Sequence, residues 1–266
     1  AFDSVPHWAI GLALRRLGVP QRFIDLVSGL NDDFSIKIQT AFGNTPSIRV
    51  QSGVRQGDPL SPILFNAVID IAIAHALSDP PPHLAPLGFA TPASPLCPTP
   101  PSASVIAFAD DISFLSRSHE EASRVLTRLE ECLCFLGLDI NTAKSFVTAN
   151  VPIPPLLAGS APLPFLSPDK HFRLLGIHLS LSLDWTKQQA VLQSHFKEKC
   201  ALASSKLASF SATTFLANNV LLPKLYFVAQ VAPITHETLA SIDMSLRLLA
   251  RKLSRLPQAT ATDFFY

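Results

Sequence analysis

The stretch Val105-Ile106-Ala107-Phe108-Ala109-Asp110-Asp111-Ile112-Ser113-Phe114-Leu115 sets two short apolar runs around adjacent acids. Runs of this length read as strands, so the stretch predicts a hairpin with carboxylates at its tip. Two adjacent carboxylates repel each other, and cations relieve that repulsion. Alternation along a strand turns the two side chains different ways, so only one points fully into a shared metal site. A solvated turn would also accept two Asp residues.

Downstream, Ser118 and Glu121 have capping-box spacing for a helix running through Leu136 and closed by Gly137. Its apolar stripe is Ala122, Val125, Leu126, Leu129, Leu133 and Leu136. Gly137-Leu138-Asp139-Ile140-Asn141-Thr142-Ala143-Lys144-Ser145 then makes a turn with a lone Lys, a pattern that a surface loop also shows. A Pro-rich linker, 152–168, precedes a strand around Phe172 to Leu179.

Upstream, Gly53-Val54-Arg55-Gln56-Gly57-Asp58-Pro59-Leu60-Ser61-Pro62 breaks the backbone before a helix. Gly57 permits close approach of a ligand. Gln56 can hydrogen-bond a sugar or base edge, and Arg55 can meet a phosphate. The same residues also suit a plain capped loop, with Asp58 as N-cap and Pro59 at the first helical position. The helix carries Leu60, Ile63, Leu64, Ala67, Val68, Ile71 and Ala74 at steps of three and four. Pro6 to Leu17 predicts a helix capped by Asp3 or Ser4 and ended by Gly18, and Arg22 to Leu30 a second one. Phe34 to Ile38 and Ser47 to Val50 form a hairpin pattern. Residues 79–104 hold nine prolines and read as a loop without regular structure.

Beyond residue 185 the pattern is helical. Leu192, Phe196, Ala203, Leu207 and Phe210 mark one helix, and Leu239, Ile242, Leu246, Leu249 and Leu253 another. Arg247, Arg251 and Arg255 step by four opposite that Leu stripe, with Lys252 beside them. A solvated helix face has the same look.

Composition bounds the rest. The chain has 266 residues, 48% hydrophobic and 15% charged, which excludes a disordered polyelectrolyte. The net charge of +1 conceals an asymmetry: 16 acidic against 12 basic residues in 1–186, and 9 basic against 4 acidic in 187–266. No Cys or His run has zinc spacing, and Cys132 and Cys134 read as buried thiols of a reducing compartment. The apolar run Ile63–Leu77 is interrupted by Asn66, Asp70 and His75, too short and polar to span a bilayer.

In this order the motifs resemble those of reverse transcriptases of non-LTR (LINE-type) retrotransposons. Ala1-Phe2-Asp3-Ser4-Val5 is similar to the end of motif A, Gly53–Asn66 to motif B, Phe108–Asp111 to the motif C (Y/F)xDD box, Gly137–Ser145 to motif D, and Phe172–Gly176 to motif E. Leu222-Pro223-Lys224-Leu225-Tyr226 resembles a thumb segment of LINE-type enzymes. The resemblance implies an α+β right-hand polymerase: a palm with partial fingers over 1–179, then an all-α thumb over 180–266.

By the same resemblance, Asp110 and Asp111 would hold two Mg²⁺ ions, and Lys144 would sit near the leaving pyrophosphate. Phe2 would gate the sugar, while Arg55, Gln56 and Gly57 would lie against nucleotide and template. Phe172, Leu175 and Gly176 would grip the primer, and Arg247, Arg251 and Arg255 would follow the nucleic-acid backbone. RNA template, DNA primer or target and dNTPs would be the partners, with no membrane, in an intracellular setting, nuclear or cytoplasmic and not secreted. The motif A metal ligand lies four residues before the Ala of Ala-Phe-Asp, ahead of Ala1. The expectation is therefore that the 266-residue chain alone does not polymerise. Group II intron or retron-type enzymes are a neighbouring alternative, and a non-enzymatic remnant that binds nucleic acid is a distant one.

Overall fold

A computed structural model describes residues 2–32, 34–78, 88–90, 102–205 and 209–253. The chain forms two compact units, Ala1–Val147 with Val151–Leu166, and Thr148–Asn150 with Ser167–Tyr266.

In the first unit a 3-10 turn, Phe2–Ser4, leads into α1 (His7–Arg16). Asp3 and Ser4 do not cap this helix. Pro6 is its N-cap, because the backbone before it is paired with the segment at Ser52–Gly53. Ala9, Ile10, Ala13 and Leu14 face the core at the spacing the period requires. At the other end Gly18 takes φ 73°. Its N–H bonds Arg15 O and that of Val19 bonds Leu14 O, a Schellman closure.

α2 (Gln21–Asp32) follows, then the expected hairpin: β1 (Ser35–Ile36) pairs with β4 (Ile48–Arg49), and β2 (Gln39–Thr40) with β3 (Gly43–Asn44). α3 (Ser61–Leu77) begins later than expected. Leu60 is its N-cap, while Asp58 closes a preceding turn by accepting the Leu60 N–H at 2.9 Å. α3 lies against both α1 and α4 (His119–Phe135), which explains its apolar residues on nearly every face. Val5, Ile10, Phe65, Val68 and Leu136 are fully buried there. Each such side chain contributes about 1.5–3 kcal/mol.

The stretch 79–104 is not wholly irregular: β5 (Phe89–Ala90) pairs with β6 (Ser102–Ala103), while 79–87 and 91–101 lie outside the described residues. β7 (Val105–Phe108) and β8 (Asp111–Phe114) form the hairpin that the opening stretch predicts. Ser118 caps α4 by accepting the Glu121 N–H at 3.1 Å. Glu121 does not complete the box on Ser118. It is buried, and its two oxygens accept the N–H groups of Arg117 (2.8 Å) and Gly88 (3.0 Å) instead.

Gly137 ends α4 as Gly18 ends α1, with Leu138 N–H on Leu133 O at 2.8 Å. The expectation of two buried thiols fails in part. Cys132 is half-buried, its thiol pushed up by desolvation, whereas Cys134 is exposed on the opposite face. After β9 (Val147–Thr148), the Pro-rich stretch 152–168 is more regular than its composition suggests. β10 (Leu157–Ala158) pairs with β11 (Ala161–Pro162), and β12 (Phe165–Leu166) follows.

The second unit opens on a hairpin rather than one strand: β13 (Phe172–Leu174) pairs with β14 (Ile177–Leu179). Leu175 and Gly176 both have positive φ, 47° and 88°, the signature of a tight I′ turn. The hairpin packs on α5 (Thr186–Ser204), where Gln188 Oε1 accepts the His178 N–H at 2.7 Å. By its contacts this hairpin belongs to the second compact unit, which takes in Ser167–Tyr266.

α5 stops at Ser204, and Phe210 opens a separate helix, α6 (Phe210–Leu216), under a Ser209 cap; Leu207 lies outside the described residues. A π-helical segment, Ala217–Leu221, joins α6 to α7 (Leu222–Ala229), and α8 (His236–Leu253) packs along α5. Leu192, Phe196, Cys200, Val228, Ile242 and Leu249 build this second core. Leu239 is exposed, because α8 turns Thr238 inward to donate to Gln189 Oε1 at 2.6 Å.

Candidate functional site

The site is assembled by backbone contacts around Val5 and Pro6. Gly53 N–H bonds Val5 O at 2.8 Å, and Val54 N–H bonds Phe2 O at 3.0 Å. Ser52 Oγ donates to Asp3 O at 3.1 Å, and His7 Nε2 lies 3.2 Å from Gly53 O. A Cβ on Gly53 would lie 2.8 Å from both Cα and O of Asp3, and the residue holds φ 92°. Only glycine meets both conditions. From the other side a Cβ on Gly137 would come within 3.1 Å of Pro6 Cγ. Two separated stretches thus close on one short segment.

Phe2 stacks on Phe65, ring centroids 4.1 Å apart and planes at 10°. Phe2, Ala109, Ile112 and Ile140 all pack on the buried core that contains Phe65 and Leu136. That core therefore holds the β7–β8 turn, the Phe2 turn and the loop after α4 in one body.

The β7–β8 hairpin pairs Phe108 with Asp111, leaving Ala109 and Asp110 as a two-residue turn. Ala109 has φ 54°, a conformation that disfavours a residue with a Cβ, so the turn carries strain at the acids. Asp110 and Asp111 are both exposed. Their oxygen-only donor set suits a hard divalent cation. Among the described residues no group of three acid, His or Cys side chains gathers there.

In the loop before α3, Gln56 and Gly57 are exposed, and a Cβ on Gly57 would meet nothing within 4 Å. Arg55 is engaged within the fold. Its guanidinium donates to Leu30 O at the end of α2 and lies 4.2 Å over the Phe34 ring. It ties the β1–β4 hairpin and α2 to this loop. Lys144 is exposed on a turn held by Asn141, whose carbonyl and Oδ1 both accept its N–H.

Residues 1–179 match the family model of the reverse transcriptase (RNA-dependent DNA polymerase). The chain belongs to the reverse transcriptase family. It is also similar to Pol polyproteins of retrotransposable elements. It is 29% identical over its whole length to the retrovirus-related Pol polyprotein from type-1 retrotransposable element R2 of Popillia japonica, covering 37% of that protein. It is 33% identical over 57% of its length to the R2 polyprotein of Nasonia vitripennis, covering 14% of it. To that of the type-2 element R2DM of Drosophila melanogaster it is 25% identical over 97% of its length, covering 24%. The chain thus spans well under half the length of these relatives.

The family implies the polymerase palm fold, and reverse transcriptases generally use divalent metal ions. No described helix is long and apolar enough to cross a membrane. In the second unit, Leu175 and Gly176 form the β13–β14 turn beside Phe172. A Cβ on Gly176 would lie 3.9 Å from Phe227 Cε1. On α8 the basic stripe is partly neutralised: Arg247 Nε lies 2.7 Å from Asp243 Oδ2 in an ion pair one turn apart, and Arg251 also has a partner. Arg255 lies outside the described residues. Sequence reasoning missed Gly53 as the contact glycine and Phe65 as the support of Phe2. The Gly53–Gly57 spacing marked the loop without saying which glycine meets backbone.

Proposed function

We propose that this chain carries the palm and thumb of an RNA-directed DNA polymerase from an R2-like non-LTR retrotransposon. The observation that carries the reading is the carboxylate pair at a strained two-residue turn, set on the core that also supports Phe2. The reaction joins the primer 3′-oxygen to the α-phosphorus of a dNTP and expels pyrophosphate. Two Mg²⁺ ions would supply charge neutralisation at the attacking and leaving oxygens. Asp110 and Asp111 would hold them, together with a motif A carboxylate.

Phe2, braced by Phe65, lies under the sugar and excludes a 2′-hydroxyl. Gln56 and Gly57 border the nucleotide and template, and Arg55 positions their loop. Lys144 offers a cation or proton to the departing pyrophosphate. Phe172, Leu175 and Gly176 support the primer end, with the helical second unit as thumb. The partners are an RNA template, a DNA primer or target and dNTPs, within the cell.

The gate role is tested by primer extension on an RNA template, in a polypeptide that supplies the motif A aspartate ahead of Ala1. Phe2→Val should admit ribonucleotides at least about tenfold better, roughly 1.4 kcal/mol of lost discrimination. Unchanged sugar selectivity alongside full dNTP incorporation would remove Phe2 from the site.

A further inference from the structure

Two arginines, Arg49 of β4 and Arg55 of the loop beyond it, reach back to one helix end. Arg49 Nη2 donates to Asp32 O at 2.8 Å, and the Arg55 guanidinium donates to Leu30 O. Leu30 and Asp32 lie in the last turn of α2, where the final carbonyls lack helical partners and favour cations. Arg55 has a second contact there, 4.2 Å over the Phe34 ring. Phe34 is itself held at the root of the hairpin. Its N–H bonds Asn31 O at 3.4 Å, and its carbonyl accepts the Val50 N–H at 2.9 Å.

The backbone of Arg55 is held as well. Its carbonyl accepts the Asp58 N–H at 3.3 Å and the Ser61 hydroxyl at 2.6 Å. Ser61, the first residue of α3, is 5% exposed, and burial strengthens that bond. Asp58 O accepts the Ser61 N–H at 3.1 Å, which closes the turn. Between Arg55 and Asp58, both half-buried, Gln56 and Gly57 are exposed. A cap on α2 needs the guanidinium alone. It does not need a buried hydroxyl on the backbone of the same residue. The double hold fixes the loop from its protein side and leaves its outer side free.

We propose that Phe34 and Ser61 are positioning residues for the polymerase reaction: gripping Arg55 at its side chain and at its carbonyl, they fix where Gln56 and Gly57 stand against the incoming nucleotide. This rests on the reading of Gln56 and Gly57 as nucleotide-binding residues. Phe34 and Ser61 act through Arg55 and do not touch the nucleotide. A loop fixed before the nucleotide arrives loses little freedom on binding, so the grip is expressed as nucleotide affinity. Once the grip is loosened, only a fraction of the loops are competent, and affinity falls by that fraction.

The test is single-turnover primer extension on an RNA template over a range of dNTP concentrations, in a polypeptide that supplies the motif A aspartate. Phe34→Leu and Ser61→Ala should each raise the dNTP concentration for half-maximal rate by about three- to tenfold, with the maximal rate little changed. Phe34→Tyr keeps the ring face and should restore the wild-type value. Gln56→Ala should raise the same concentration, and Phe34→Leu added to it should raise it no more than about 1.5-fold further, because the two act through one loop. A purely structural role would lower the amplitude of the reaction, as the folded fraction falls, and leave its dNTP dependence in place. That result, or effects of Phe34→Leu and Gln56→Ala that multiply in full, overturns the positioning role while the polymerase reading stands. A Gln56→Ala protein with wild-type dNTP dependence would overturn the reading of the loop and the positioning role with it.

Discussion

Gly53 and Gly57 share a loop and both hold positive φ, 92° and 86°, yet different things constrain them. A side chain on Gly57 meets open space, whereas one on Gly53 meets the backbone of Asp3, which has nowhere to go. Gly57→Ala should cost about 1 kcal/mol of backbone strain, and Gly53→Ala about 3 kcal/mol or more. Urea denaturation of the two variants checks this; equal costs would mean that the contact with Asp3 decides nothing. At Ala109 the sign reverses. Replacing Ala109, with its φ of 54°, by Gly should stabilise the chain by about 0.5–1 kcal/mol while loosening the turn that aims the acids. The carboxylates and the loop glycines were legible because their types are rare at such spacing. The Arg55 contact with Leu30 O and Phe34 was not, because a guanidinium that could meet a phosphate serves a carbonyl and a ring equally well.

Element ends were legible wherever one residue type has a single physical use. Gly18 and Gly137 close their helices in the left-handed region, and Ser118 caps α4. The α5–α6 break and the β13–β14 turn escaped notice. The apolar period runs across the first, and Leu175 occupies a positive-φ position in the second where glycine would have announced a turn. Glu121 looked like half of a capping box and is instead a buried acceptor for two backbone N–H groups. Glu121→Ala should therefore cost about 2 kcal/mol or more, against about 1 for Ser118→Ala, read as shifts in denaturation midpoint.

In the second unit His178 and His195 hold protons less tightly than an unfolded chain would. The folded state then binds fewer protons below the ordinary value of 6.5, so stability should fall as pH drops through that range. Thermal denaturation between pH 7.5 and about 5 should show this decline, and His178→Gln/His195→Gln should flatten it.

At the scale of the molecule, the sequence's charge asymmetry maps onto the two units: the acids Asp110 and Asp111 lie in the first, and the excess of Lys and Arg in the second. The order of motifs made the α+β class legible. The packing of the β13–β14 hairpin on α5 was not, because it depends on contacts such as that of His178 N–H with Gln188. We propose that the Ala109–Asp110 turn and Asp111 form the catalytic element of an RNA-templated DNA polymerase. The most direct measurement is single-turnover primer extension on an RNA template with Mg²⁺ and dNTPs, in a polypeptide that supplies the motif A aspartate. Asp110→Asn should lower the rate on the order of 10³-fold, with template–primer affinity in the absence of metal unchanged, because the several kcal/mol lost belong to transition-state charge. Extension by the Asp110→Asn protein at the wild-type rate would contradict the account.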